Sequence, residues 1–208
     1  FYSPELKSFF TSIDNADLQL NKEYRNPSKF NTGDTFTYID ISSLPPGPST
    51  INIGKIVSKN AAPSRARRVI KKDDIIISTV RPNLRSFAKI GEKLDNQICS
   101  TGFAVFSCGS SINPDFLLFQ FCSPFFVDQC VSKTTGGHYP AINETNLRKV
   151  QIIVPPLPEQ YRIVAYFNNL QEKVSALKKL QSETATELDA MLPSILDKAF
   201  RGELLLQT

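Results

Sequence analysis

The sequence has no tryptophan, one methionine and a single histidine, His138. Its four cysteines, Cys99, Cys108, Cys122 and Cys130, lie 9, 14 and 8 positions apart, and no C-x-x-C pair occurs. A structural zinc site needs closer ligands, so no metal is expected. These cysteines sit in apolar surroundings and read as buried thiols in a reducing cytoplasm. No run of 18 apolar residues is present, so no membrane span is expected. No signal-peptide pattern opens the chain. Because it begins at Phe1, the numbering is expected to start inside a longer or processed product. There is no Walker-type phosphate loop and no carboxylate cluster at nuclease spacing. Asn113-Pro114-Asp115-Phe116 comes nearest to the Asn/Asp-Pro-Pro-aromatic loop of DNA amino-methyltransferases. Asp115 replaces the second proline, no glycine-rich cofactor loop precedes it, and its flank fits a helix start. Acid–base and nucleophilic catalysis are left with few candidates, so a binding module without cofactor is expected rather than an enzyme.

What is present is a chain of 208 residues, 41% hydrophobic and 21% charged, enough for one domain with a real core plus an appendage. The net charge is +4, but its distribution is uneven. Residues 61–93 carry nine positive and three negative groups, a balance of +6, whereas residues 1–60 are neutral and residues 94–157 and 158–208 are each at −1. Five of the nine are arginine. Concentrated arginine is the footprint of a polyanion binder; the alternative is a solvated face. The candidates are Arg65, Arg67, Arg68, Lys71 and Lys72 for phosphates. Arg81 and Arg85 flank a turn and are candidates for a base edge or a phosphate, unless Arg81 pairs with Asp73 or Asp74.

The segment 36–108 reads as about five strands: 36–44, 50–57, 74–80, 86–90 and 97–108, the last with a glycine that could mark a bulge. Pro45–Ser49 is a turn, and residues 58–68 read as a basic loop. Residues 1–35 are polar and resist assignment, with PELKSFF a candidate short helix and 26–34 a loop. Asn113-Pro114 and Ser123-Pro124 are N-cap-plus-proline helix starts. Residues 134–143 form a glycine-rich loop: Gly136 and Gly137 allow close backbone approach, and Thr134, His138, Tyr139 and Asn143 offer polar edges. This loop is either a second DNA-contact candidate or a structural loop at the hinge, with Asn143 capping a short turn before strand 150–154. Ser100–Phe103 reads as core strand.

From Pro158 to Leu192 no glycine or proline interrupts the chain. Ile163, Phe167, Leu170, Val174, Leu177, Leu188, Met191 and Ile195 share one heptad register, which passes through Gln181 and Thr184. Such a stripe must pack on something long, either a partner helix or the core of its own domain. A helix of roughly 35 residues exceeds the usual length, which favours the partner. The expected fold is α+β: a mixed α/β globule over 1–154, then a long coiled-coil-type helical region over 155–208.

Several segments together resemble the specificity (S) subunit of type I restriction-modification systems. They are YIDISSL (38–44), PSRARRVIKKDDIIISTVRPNLRSFAKI (63–90), ICSTGFAVF (98–106), TGGHYPAIN (135–143), VPPLPEQ (154–160) and SILDKAFRGEL (194–204). Single pieces are weak, but their order and spacing are specific. The resemblance implies a target recognition domain and one conserved helical region, half of a usual subunit, either pairing with its own copy or cut from a longer chain. It implies double-stranded DNA as ligand, one half of a split target read by the globule, and a helix of about 50 Å as spacer, on the order of 15 base pairs. Methyltransferase subunits, which bring S-adenosylmethionine, and restriction subunits are the implied partners, with a homodimer or an intramolecular pairing through the helix. The competing expectations are a protein–protein interaction module and a fragment of a fused restriction–methylation enzyme.

Overall fold

A computed structural model describes residues 7–27, 33–44 and 48–202. The first three residues of PELKSFF, and parts of the 26–34 loop and the 45–49 turn, lie outside these residues, and the last residue of PELKSFF, Phe10, is in a strand rather than the expected helix. The chain divides into two compact units, Phe1–Val164 and Ala165–Thr208.

The first unit is α+β. Its strands are β1 (Phe10–Ser12), β2 (Leu18–Leu20), β3 (Thr35–Ile39), β4 (Thr50–Ile51), β5 (Lys55–Ser58), β6 (Ala66–Ile70), β7 (Ile75–Ser78), β8 (Phe87–Ile90), β9 (Gln97–Ser100), β10 (Phe103–Cys108) and β11 (Gln151–Ile153). A five-stranded sheet runs in the order β2-β10-β7-β8-β4, a four-stranded sheet in the order β5-β3-β9-β6, and β1 pairs with β11. The pairs β4–β8 and β3–β9 are parallel, and every other pair is antiparallel.

Two of the expected strands are each two strands in different sheets. Residues 50–57 split into β4 and β5, and 97–108 into β9 and β10. A glycine sits near each break. A Cβ on Gly54 would strike Ile39 Cδ1 and lie 2.6 Å from Thr37 Cγ2, and one on Gly102 would lie 2.8 Å from Ile41 Cδ1. The chain can cross between sheets there only because no side chain fills the gap. A correction falls on 58–68, expected as a basic loop: Ala66, Arg67 and Arg68 belong to β6, with a bulge between Ala66 and Arg68. Hydrogen bonds to β9 and the fully buried Val69 and Ile70 hold this strand despite its two arginines.

Three short helices follow: α1 (Pro114–Phe121), α2 (Pro124–Ser132) and α3 (Glu144–Arg148). Asn113, Ser123 and Asn143 cap them by accepting the N–H of Phe116 (3.0 Å), Phe126 (3.3 Å) and Asn146 (2.8 Å). The core alternates along β7. Ile75 and Ile77 pack with Phe87, Phe106, Phe121 and Phe126 in the cluster that includes α1 and α2. Ile76 joins Ile39, Ile70, Ile90, Phe103 and Val105 in a second cluster with residues of the four-stranded sheet. Buried on both faces, β7 is apolar at every position from 75 to 77.

Burial pushes all four thiols up to about 12, and all four cysteines are free. The thiolate is the reactive form. At pH 8 a thiol-specific reagent should therefore label none of them in the native chain and all four in denaturant, read by mass spectrometry.

The last helix, α4, runs Leu157–Phe200. This corrects the expected end before Pro193, which lies inside the helix. Proline removes one hydrogen bond and crowds the carbonyl four residues back. On this stretch, where every residue from 165 to 200 is exposed, that carbonyl can turn to water. At about 1.5 Å per residue the helix spans roughly 65 Å. Among the described residues, no helix is long and apolar enough to cross a membrane.

Candidate nucleic-acid interface

The turn after β7 is built from strained backbone. Arg81 (φ 49°, ψ 60°) and Arg85 (φ 51°, ψ 40°) both adopt the left-handed conformation on either side of a single 3-10 turn, Pro82–Leu84. Non-glycine residues pay for this geometry, of order 1–3 kcal/mol each, and it persists only where surroundings enforce it. The enforcing partner here is the glycine-rich loop. Arg81 N–H donates to Pro140 O at 2.8 Å, and Ile142 N–H donates to Thr79 O at 2.9 Å. Thr135 and Ala141 exchange both backbone hydrogen bonds at 2.9 Å, closing the loop on itself. Gly136 turns the chain at φ 96°.

Side chains complete the junction. Arg81 Nη2 donates to His138 O at 3.1 Å, and its guanidinium lies 4.8 Å from the centre of the Tyr139 ring. Arg81, His138 and Tyr139 are all exposed, Tyr139 to 71%. The alternative that Arg81 pairs with Asp73 or Asp74 does not hold. Asp74 is buried instead, accepting from the Ser107 hydroxyl and Lys71 N–H, and burial raises its carboxyl pKa. Arg85 is half-buried, and its Nε has no hydrogen-bond partner. Thr134 Oγ1 donates to Val131 O, while Asn143 caps α3. The loop's polar edge therefore consists chiefly of His138 and Tyr139, with Gly137 open beside them.

One residue of the basic block is joined to this junction through its backbone. Thr79 donates from both N–H and Oγ1 to Gly102 O at 2.9 Å, and Thr101 N–H donates to Arg65 O at 2.9 Å. Exposed Arg65 is thus linked through Thr101, Gly102 and Thr79 to the Arg81 loop junction. Sequence spacing gave no sign of this, since residues 65 and 101, and 79 and 102, are joined only by hydrogen bonds between distant segments.

The remaining basic residues run the other way. Lys71 and Lys72 follow the far end of β6, about 20 Å from Arg65 at 3.3 Å per residue. Arg68 Nη1 donates to Asn21 O at 3.0 Å, its guanidinium sits 5.1 Å from the Tyr24 ring centre, and its Nε has no hydrogen-bond partner. Arg67 Nη1 donates to Ala66 O. Lys71 lies 3.8 Å from Glu23 and Lys72 3.9 Å from Glu92, exposed pairs worth little in water. Tyr24 and Arg25, from the stretch that resisted assignment, line this second group: Arg25 N–H donates to Arg67 O, and its Nη1 to Asn96 Oδ1. The block is one run in sequence and two groups in space.

On α4, Ile163 is half-buried, while Phe167, Leu170, Val174, Leu177, Leu188 and Met191 are exposed by 39–60%. Leu180, Leu192 and Leu196, outside that register, are exposed as well, so the apolar surface is broader than a single seam. Among the described residues, no three His, Cys, Asp or Glu groups gather as metal ligands.

Comparison with known proteins bears on this geometry. Residues 5–186 match the family model for the type I restriction modification DNA specificity domain. The type I restriction enzyme EcoDI specificity subunit of Escherichia coli is 30% identical over 133 residues, 64% of this chain and 29% of that protein. The HindI specificity subunit of Haemophilus influenzae is 24% identical over 143 residues, 67% of this chain and 29% of that protein. The crystal structure of the HsdS subunit from Thermoanaerobacter tengcongensis superposes with a TM-score of 0.77 at 35% identity, covering 91% of this chain and 48% of that one. A chain from a study of complex assembly and conformational transition of the type I R-M system gives 0.76 at 33%, with the same coverage. The chain therefore spans under a third of these curated relatives and about half of the solved ones. The relatives are named specificity subunits, as the resemblance of segments 38–44 to 194–204 implied, and this chain belongs to the type I restriction modification DNA specificity domain family.

Proposed function

We propose that this chain is a DNA sequence-recognition module of a type I restriction-modification complex. Residues 1–154 read one half of a bipartite double-stranded target, and residues 155–208 pair with a second helix, from another copy or an equivalent segment, to hold two readers apart. The same helical region offers surface to methyltransferase and restriction subunits in the cytoplasm, and catalysis and S-adenosylmethionine reside in those subunits.

The observation that carries this reading is the junction of Arg81 with the 134–143 loop. It presents a guanidinium already oriented by Tyr139 and His138, with Arg65 linked to the same edge. An arginine held in place reads a guanine edge at lower entropic cost than a mobile one. Arg65 and Arg85 flank it, and Arg67, Arg68, Lys71 and Lys72 supply backbone contacts further along the duplex. Selection of bound duplexes from a random-sequence pool by the full chain, with its methyltransferase partner present, tests the reading. Enrichment of a two-part motif is expected, and no enrichment rejects it.

Phosphate contacts release counterions, at a slope of about −0.9 in log K against log salt for each contact. Arg67→Ala, Arg68→Ala and Lys72→Ala combined should weaken binding to all duplexes alike and flatten that slope by up to about three contacts' worth. A salt titration giving the parental slope would remove this end of β6 from the interface.

A further inference from the structure

The turn between β7 and β8 carries an apolar side chain where turns ordinarily carry polar ones. Turn positions favour Gly, Pro, Asn, Asp and Ser, each for a backbone reason. Here Pro82 is buried and Asn83 is exposed, but the next residue is Leu84, 59% exposed. A lone leucine on an ordinary surface needs no explanation. This one is presented by a turn with little freedom. Leu84 N–H donates to Arg81 O at 2.9 Å, Arg85 N–H to Pro82 O at 3.0 Å and Phe87 N–H to Arg85 O at 2.9 Å. Ser78 N–H donates to Ser86 O at 3.1 Å across the base of the turn. Fully buried Phe87 anchors it, edge-to-face with Phe126 of α2 at 6.4 Å between ring centres. Arg81 and Arg85, both left-handed, bracket the leucine. Two strained residues thus fix where its side chain leaves the backbone.

Its neighbour sets what it can meet. A hydrogen-bonded four-residue turn brings its first and last Cα atoms within about 7 Å. Arg81 and Leu84 are those two residues. Base pairs rise about 3.4 Å each, so beside a duplex engaged by Arg81 the Leu84 side chain reaches edges within two base pairs. Major-groove edges present hydrogen-bond donors and acceptors, with one exception, the C5-methyl of thymine. Leucine has neither donor nor acceptor. Set against a polar edge, it would strip away water and return no bond. Set against the methyl, it removes apolar surface of both partners from water. The exposed leucine and the oriented guanidinium therefore suit neighbouring features of one groove, a methyl and a guanine edge.

We propose that Leu84 is a specificity-determining residue that reads the C5-methyl of a thymine within two base pairs of the guanine read by Arg81. This deepens the function proposed above and rests on it.

Duplexes in which deoxyuridine replaces each thymine of the selected half-site in turn, on either strand, remove one methyl and alter nothing else in the base. The full chain with its methyltransferase partner should bind one of these about 3- to 10-fold more weakly than the thymine duplex, the loss expected when one methyl no longer covers apolar surface. That thymine should lie within two base pairs of the position at which Arg81→Ala loses discrimination. Leu84→Ala, too short to reach, and Leu84→Asn, similar in shape but polar, should bind the thymine and uracil duplexes equally. Because Leu84 is exposed, both should unfold thermally as the parent does. Leu84→Met should keep the preference. A uracil penalty unchanged in Leu84→Ala and Leu84→Asn would assign methyl reading to another residue and overturn the proposal. So would a parent that binds every uracil duplex as tightly as the thymine one. A chain that selects no two-part motif from the random pool defeats the functional reading, and the methyl contact with it. One that selects a motif without a Leu84-dependent methyl defeats the contact alone.

Discussion

Arg81→Ala should lower discrimination between the selected half-site and its single-base variants by about 10- to 100-fold, the 1–3 kcal/mol of a bidentate arginine–guanine pair. The loss should be confined to one base position. Arg81→Lys should not restore it, because an ammonium offers neither the planar fork nor the same stack over Tyr139. Tyr139→Phe keeps the ring face on which the guanidinium lies and should be nearly neutral. Tyr139→Leu removes the face and should weaken binding through a less ordered arginine. Backbone and side chain can be separated, since Arg81 holds a left-handed conformation that glycine adopts without strain. Arg81→Gly should fold at least as stably as Arg81→Ala yet read DNA no better. Competition binding with the selected duplex and its single-base variants provides the measurement. Uniform weakening across all of them would assign Arg81 to a phosphate and leave base reading to other residues of the loop.

The parts of the fold and of the candidate interface differ in how far the sequence announced them. The caps at Asn113, Ser123 and Asn143 and the apolar strand β7 depend on neighbours within a few residues, and each stands where local pattern places it. The Arg81 turn and the 134–143 loop were each visible as irregular segments. Their junction was not, because it forms through backbone pairing between residues about 60 apart. Strand β6 was hidden by its arginines: charge at 67 and 68 imitates a solvated loop, whereas the strand is set by β9 alongside and by Val69 and Ile70. The sheet changes near Gly54 and Gly102 were unreadable for a related reason. A single apolar run carries no mark of which sheet each half will join, and the glycine records only that something passes close by. Gln160, which closes the segment VPPLPEQ, gave no signal of its complete burial. A glutamine in a charged first turn looks like surface, and only the positions of Ser111, Asn113 and Pro155 make it interior.

Leu170→Asp combined with Leu177→Asp should convert a self-associating chain into a monomer. The seam residues Leu170, Val174, Leu177, Leu188 and Met191 stand exposed at 42–60% on a helix of 44 residues. Burying one such side chain fully contributes about 1.5–3 kcal/mol, and removing that area from water is the strongest force available to pair two helices. An aspartate in a closed seam loses that contribution and adds the cost of a desolvated charge, so two of them should weaken association by at least 100-fold. Gln181 and Thr184 interrupt the apolar register at its middle, where polar seam residues fix alignment at some cost in stability. Gln181→Leu should therefore tighten association while allowing shifted registers. Exposed face controls such as Lys178→Asp should do neither. Sedimentation velocity across the micromolar range distinguishes these outcomes. A parent chain that stays monomeric at high micromolar concentration, with both aspartates silent, would mean that the exposed stripe of α4 is covered by something other than a second copy of itself.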